Sequence, residues 1–176
     1  MFLIHYLKIL NLVFNKSIES KCAQVLLEKK ETLAIAESCT GGLISSLMTD
    51  ISGSSSIIRA NFVTYANEAK TKYLNVSEDT LSRYGAVSEQ TATEMVNGLL
   101  NATNSDYALA TTGIAGPTGG TKEKPVGLVY IGISNKKTLR VYKYNVTPKY
   151  PRILIKYMFA KQALKYLYEF IKETNK

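Results

Sequence analysis

Three stretches of the chain hold residue types able to do chemistry together. The first, AESCTGG at 36–42, places a hydroxyl (Ser38), a thiol (Cys39) and a second hydroxyl (Thr40) directly before Gly41 and Gly42. A strand ending at Ala36 and a helix starting at Gly41 would put Ser38 and Cys39 at a helix N-terminus. Unpaired N–H groups there stabilise an anion, whether a phosphate or the oxyanion of an acyl transfer. The second, FVTYANEAK at 62–70, carries Lys70. A lysine acts as a base where burial or a nearby cation lowers its pKa. The third, TTGIAGPTGGTKEKPVG at 111–127, runs from a strand into a glycine-rich loop suited to cradling a phosphate or a sugar. The single histidine, His5, lies near the N-terminus, which sets aside Ser-His-Asp and Cys-His catalysis. A nucleophilic mechanism here needs another base, and lysine is the obvious one.

Each stretch also has a plainer reading. Ser38 or Thr40 can simply cap the helix, and pattern alone tips toward that. An isolated lysine is ordinarily a surface residue. The 111–127 loop reads equally as a structural turn, since no G-K-[ST] closes it and no G-x-G-x-x-G precedes a helix. Cys39 is a rival nucleophile: Glu37, Cys39 and Lys70 supply the residue types of a Cys-Glu-Lys amidase, although a lone cysteine is more commonly a buried structural thiol. GSSS at 53–56 reads as a loop or cap. The carboxylates show no ligand spacing, so neither a metal site nor a cofactor is expected.

The elements that must position these residues follow from periodicity. Apolar residues recur at helical spacing from Ser17 to Lys30, and TLAIA at 32–36 reads as a buried strand. A helix follows Gly41, a second strand lies around 58–65, and NEAKTKYL starts a short helix with Asn67 as cap. SEDTLSRY is a further helical piece, and Ser88 precedes a helix whose Ala92, Met95, Val96, Leu99 and Leu100 share a face. A strand at 106–112 leads into the glycine-rich loop. PVGLVYIGIS and TLRVYKYNV flank a turn at Ser134–Asn135 as a hairpin, and a long helix runs from about Arg152 to Lys172. Interleaved helices and strands with one hairpin imply an α/β fold: one three-layer α/β/α domain with a mixed β-sheet.

Composition agrees. The 176 residues are 45% hydrophobic and 20% charged, as for one globular domain with a real core. The net charge of +8 suits anionic partners, but the lysines are scattered, so charge alone establishes no nucleic-acid role. Two cysteines build no disulfide framework, which points to a reducing cytoplasm. The opening MFLIHYLKILNLVF is apolar, yet shorter than the roughly 20 residues a membrane span needs, and Lys8 interrupts it. Residues 1–16 are expected to form an extra, helical segment, with no stable membrane insertion.

Taken together, AESCTGG, GSSSIIRANFVTYANEAK, GAVSEQTA and TGIAGPTGGTKEKPVG closely resemble the CinA C-terminal family, whose stand-alone members are nicotinamide mononucleotide deamidases. The likeness runs from about residue 17 to 135, with order and spacing matching. It implies that residues 17–176 are a homo-oligomeric, metal-free amidohydrolase domain. The implied reaction converts nicotinamide mononucleotide to nicotinic acid mononucleotide and ammonia through a Ser/Lys acyl-enzyme. Carried onto this sequence, the nucleophile is Ser38, the base Lys70, and Tyr65 and Thr112 are active-site hydroxyls that orient them. Thr40, Gly41, Gly42, Gly113 and Gly116 would contact substrate, with oxyanion donors at the Gly41–Gly42 helix start. The family's G-D-R segment before its last helix is replaced by TPKYPRILIK, in which Arg152 matches the arginine but the Gly-Asp pair is absent. Two alternatives stand beside this reading: a non-catalytic nucleotide- or DNA-binding module, and an amidase for a different nucleotide amide.

Overall fold

The computed structural model describes residues 17–174, so the segment 1–16 lies outside the described residues. Five strands form one sheet: β1 (Leu33–Glu37), β2 (Ile58–Val63), β3 (Tyr107–Gly113), β4 (Leu128–Asn135) and β5 (Leu139–Asn145), in the order β2-β1-β3-β4-β5. β2, β1 and β3 run parallel, whereas β4 and β5 are antiparallel to their neighbours, giving the expected mixed sheet. The helices are α1 (Ile18–Lys29), α2 (Leu43–Thr49), α3 (Ser54–Ile57), α4 (Asn67–Leu74), α5 (Glu78–Tyr84), α6 (Glu89–Thr103) and α7 (Arg152–Thr174).

Strand alternation sorts the core onto two faces. Leu33, Ile35, Leu109, Val129, Ile131 and Ile133 meet α1, α2 and α7 in the larger core. Ala34, Ala36, Ala108 and Ala110 face the other way, against Leu74 of α4 and Met95, Val96 and Leu99 of α6. These small side chains let α6 ride close to the sheet; a Cβ on Gly132 would lie 2.8 Å from the Ala92 carbonyl oxygen. The approach of α4 to α6 is tighter still. A Cβ on Gly98 would fall 1.7 Å from the carbonyl oxygen of Leu74, so a side chain there is incompatible with this crossing.

Ser77 and Ser88 cap α5 and α6, accepting from the N–H groups of Thr80 and Thr91. Two local expectations shift. Ala66 rather than Asn67 occupies the N-cap of α4, without a side-chain cap. The hairpin turn lies just beyond Ser134–Asn135: β4 continues through Asn135, whose Oδ1 accepts from the N–H groups of Lys137 and Thr138. That side-chain turn tightens the connection two residues later than the dipeptide suggests.

The register places the site. Glu37 pairs with Val63 on one side and Thr111 on the other, where β1 and β2 end while β3 runs on to Gly113. The residues that follow this row, Ser38, Thr64–Tyr65 and Thr112, therefore lie side by side. Ligand sites in open α/β sheets form at such carboxyl ends. Among the described residues, no helix is long and apolar enough to cross a membrane.

Candidate active site

A cavity of about 240 Å³ opens at these strand ends. Ser38, Cys39, Tyr65, Lys70, Thr112, Gly113, Gly116 and Arg152 all border it. At its floor the Lys70 Nζ stands 3.2 Å from Ser38 Oγ, 2.9 Å from the Thr64 carbonyl oxygen and 3.1 Å from that of Tyr65. Lys70 is only 1% exposed, against the surface position expected of an isolated lysine. Burial lowers its pKa, opposed by attraction toward Cys39 and Glu68. Once deprotonated, Lys70 would keep two N–H bonds to the two carbonyls and turn its lone pair to the Ser38 hydroxyl. That is the geometry of a base activating a nucleophile.

The turn that presents Ser38 is held by Glu37, which the sequence offers only as a possible member of a cysteine amidase. Glu37 is fully buried. Its carboxylate accepts from the N–H groups of Gly42 (3.0 Å), Ile44 (3.1 Å) and Ser45 (2.8 Å), and from Ser45 Oγ (2.7 Å). Glu37 is thus the cap of α2; Gly42 occupies the N-cap position without a side-chain bond, and neither Ser38 nor Thr40 caps. The acceptor sits five to eight residues before its donors, outside the spacing of a capping box, so sequence pattern gives no signal for it. Glu37→Gln turns an amide N–H₂ toward backbone donors. It is expected to cost about 2 kcal/mol of unfolding free energy in a urea titration, with Ser38 misplaced accordingly.

This arrangement corrects the expected oxyanion donors. The Gly42 N–H belongs to Glu37 and the Gly41 N–H donates to the Ser38 carbonyl, 3.1 Å away. Thr40 is likewise turned from the cavity: its buried hydroxyl pairs with Thr111 Oγ1 at 2.9 Å and fastens the turn to β3. The Ser38 N–H donates to the Thr111 carbonyl at 3.0 Å. Within this turn, the Cys39 and Thr40 N–H groups have no backbone or side-chain acceptor from another of the described residues.

The other hydroxyls orient groups differently from the expectation. Thr112 Oγ1 donates to the Ala86 carbonyl at 2.6 Å, joining β3 to the segment between α5 and α6. Tyr65 positions Lys70 through its main-chain carbonyl, while its phenol accepts from Arg152 Nη2 at 3.1 Å. Arg152 Nη1 donates to the Gly116 carbonyl at 2.7 Å. Gly116 has a φ of +73°, and a Cβ there would meet Val126 at 2.4 Å, so this bend of the loop requires glycine. Cys39 borders the cavity, but burial pushes its thiol up to about 12, leaving it protonated at neutral pH.

A mixed-sheet α/β domain with a buried serine–lysine pair at the ends of its parallel strands defines the class. The match to the CinA C-terminal domain spans residues 15–171, and the chain belongs to that family. It is 53% identical over 131 residues to a CinA-like protein of Endomicrobium trichonymphae, an alignment covering 74% of this chain and 31% of that protein. The chain spans about a third of the length of the curated relatives it matches. Among solved structures, it superposes with a TM-score of 0.82 on the competence/damage inducible protein CihA from Agrobacterium tumefaciens. That pair shares 38% identity, over 85% of this chain and 93% of that one. A CinA superfamily protein from Klebsiella pneumoniae gives a TM-score of 0.84 at 28% identity, over 89% and 96% of the two chains.

Proposed function

We propose that this protein is an amidohydrolase that converts nicotinamide mononucleotide to nicotinic acid mononucleotide and ammonia. The observation that carries the reading is the 3.2 Å hydrogen-bond contact between the Nζ of a buried lysine of lowered pKa and Ser38 Oγ, at a cavity on the strand ends. Ser38 Oγ attacks the carboxamide carbon as Lys70 takes its proton. The tetrahedral oxyanion is met by the Cys39 and Thr40 N–H groups. Collapse breaks the C–N bond, and the lysine proton passes to the leaving nitrogen, releasing ammonia and an acyl-Ser38 ester. Water then attacks the ester with Lys70 again as base, freeing the carboxylate and restoring the serine hydroxyl. Arg152, tied to Tyr65 and Gly116 at the rim, faces the anionic part of the substrate.

The direct test is ammonia release by the wild-type protein from nicotinamide mononucleotide, alongside nicotinamide riboside and an unrelated nucleotide amide. Turnover of the mononucleotide with a 1:1 yield of ammonia and acid is the expected result. No ammonia from any of the three, with DNA binding that falls steeply with salt, would replace the amidase by a binding module.

A further inference from the structure

We propose that Lys156 is the second cation of a phosphate clamp. With Arg152, one helical turn before it, Lys156 grips the phosphate monoester of the substrate and separates phosphorylated from unphosphorylated nicotinamide nucleosides. The identity of the nicotinamide ring rests on the amidase reading above; the clamp itself rests on the charges at the start of α7.

Three observations carry it. Lys156 does not border the cavity, yet its Nζ lies 3.2 Å from where a Cβ on Gly41 would stand, beside the turn that presents Ser38. Residues four apart on a helix share a face. That face of α7 therefore has Arg152 at the cavity rim, bonded to Tyr65 and Gly116, and Lys156 beside Gly41.

Secondly, these charges run against the helix. The N-terminal turn of a helix favours anions and disfavours cations. α7 has no acidic residue in its first turn and places Arg152 at its first position. Among the described residues, neither Arg152 nor Lys156 has a carboxylate partner. Arg152 spends two N–H bonds on neutral oxygens and keeps three, and the Lys156 ammonium has no hydrogen-bond partner among the described residues. Two cations without a carboxylate partner, one at the first position of α7 and one a turn further on, are stabilised by a bound dianion that pairs with both side chains at once.

The third observation is size. Pockets that bury a drug-sized ligand run from about 300 Å³ upward, and this cavity of about 240 Å³ is sized for an amide-bearing ring rather than a whole nucleotide. The rest of a mononucleotide must project past the rim, where the α7 cations stand. Gly41 is exposed and leaves that surface open.

Two measurements on Lys156→Met and Lys156→Arg decide the matter. In the first, kcat/KM is measured for nicotinamide mononucleotide and for nicotinamide riboside. The nucleotide-to-riboside ratio is expected to fall about 10- to 100-fold in Lys156→Met, mainly through KM, and to be largely restored in Lys156→Arg. An unchanged ratio overturns the clamp, because a structural role would lower both substrates together. In the second, calorimetry compares ribose 5-phosphate with ribose on the wild type and Lys156→Met. Binding that needs the phosphate and weakens about tenfold or more in the variant supports the clamp; equal binding to both proteins, or none, overturns it. Phosphate-dependent binding without ammonia release from any amide would leave the clamp standing and remove the amidase.

Discussion

On the proposed amidase reading, Ser38→Ala is expected to abolish ammonia release, lowering kcat by about 10⁵-fold or more, the scale seen when a nucleophile is removed from a catalytic unit. Cys39→Ala, one residue on, retains turnover within about tenfold while losing about 1 kcal/mol of stability from the small void left by a buried thiol. The contrast follows from two features. Lys70 Nζ is within hydrogen-bond distance of Ser38 Oγ, and the Cys39 thiol is held near 12 by burial, with no base bonded to it. Paired assays under identical conditions, with circular dichroism to confirm folding, settle the order. Loss of activity in Cys39→Ala with survival in Ser38→Ala would transfer the nucleophile to the thiol.

Lys70→Met is expected to lower kcat by about 10²–10⁴-fold, the usual worth of a positioned general base. Its effect on stability has the opposite sign at low pH. Burial depresses the folded-state pKa of Lys70 below the unfolded value, so between the two the unfolded chain binds one more proton than the folded one. Wild-type stability therefore climbs with pH through that window, and Lys70→Met removes the climb. Chemical denaturation at several pH values should show the variant's relative stability highest below the folded pKa, falling as pH rises, and level above the ordinary lysine range. In wild-type assays, kcat/KM rises along an acid limb whose midpoint lies below that of an exposed lysine. An acid limb unchanged in a slow but active Lys70→Met variant would assign the titration to another group.

Much of this scaffold was legible in the sequence because its signals are local. The short apolar run TLAIA, the Ser88 that precedes its helix, and the shared face of Ala92, Met95, Val96 and Leu99 each act within a few residues. The site was legible only as a set of residue types. No pattern along the chain reports that Lys70 is buried, because its partners come from the residues just after β1 and β2. Residue type also misdirects at AESCTGG. Thr40 and the two glycines resemble a ligand cradle, yet Glu37 and Ser38 take the glycine N–H groups and Thr111 takes the threonine. Those assignments depend on side chains returning to a turn from outside any helix-capping register.

The crossing at Gly98 has a consequence for mutational scanning of this protein. Leu74, whose carbonyl lies against Gly98, sits one turn beyond Lys70 on the same helix. Any side chain at position 98 must displace that helix from α6, and the displacement is shared by the amine that Ser38 depends on. In a screen separating abundance from turnover, position 98 would therefore behave as a remote control of proton transfer. Its small substitutions would register as catalytic defects even though Gly98 does not border the substrate cavity.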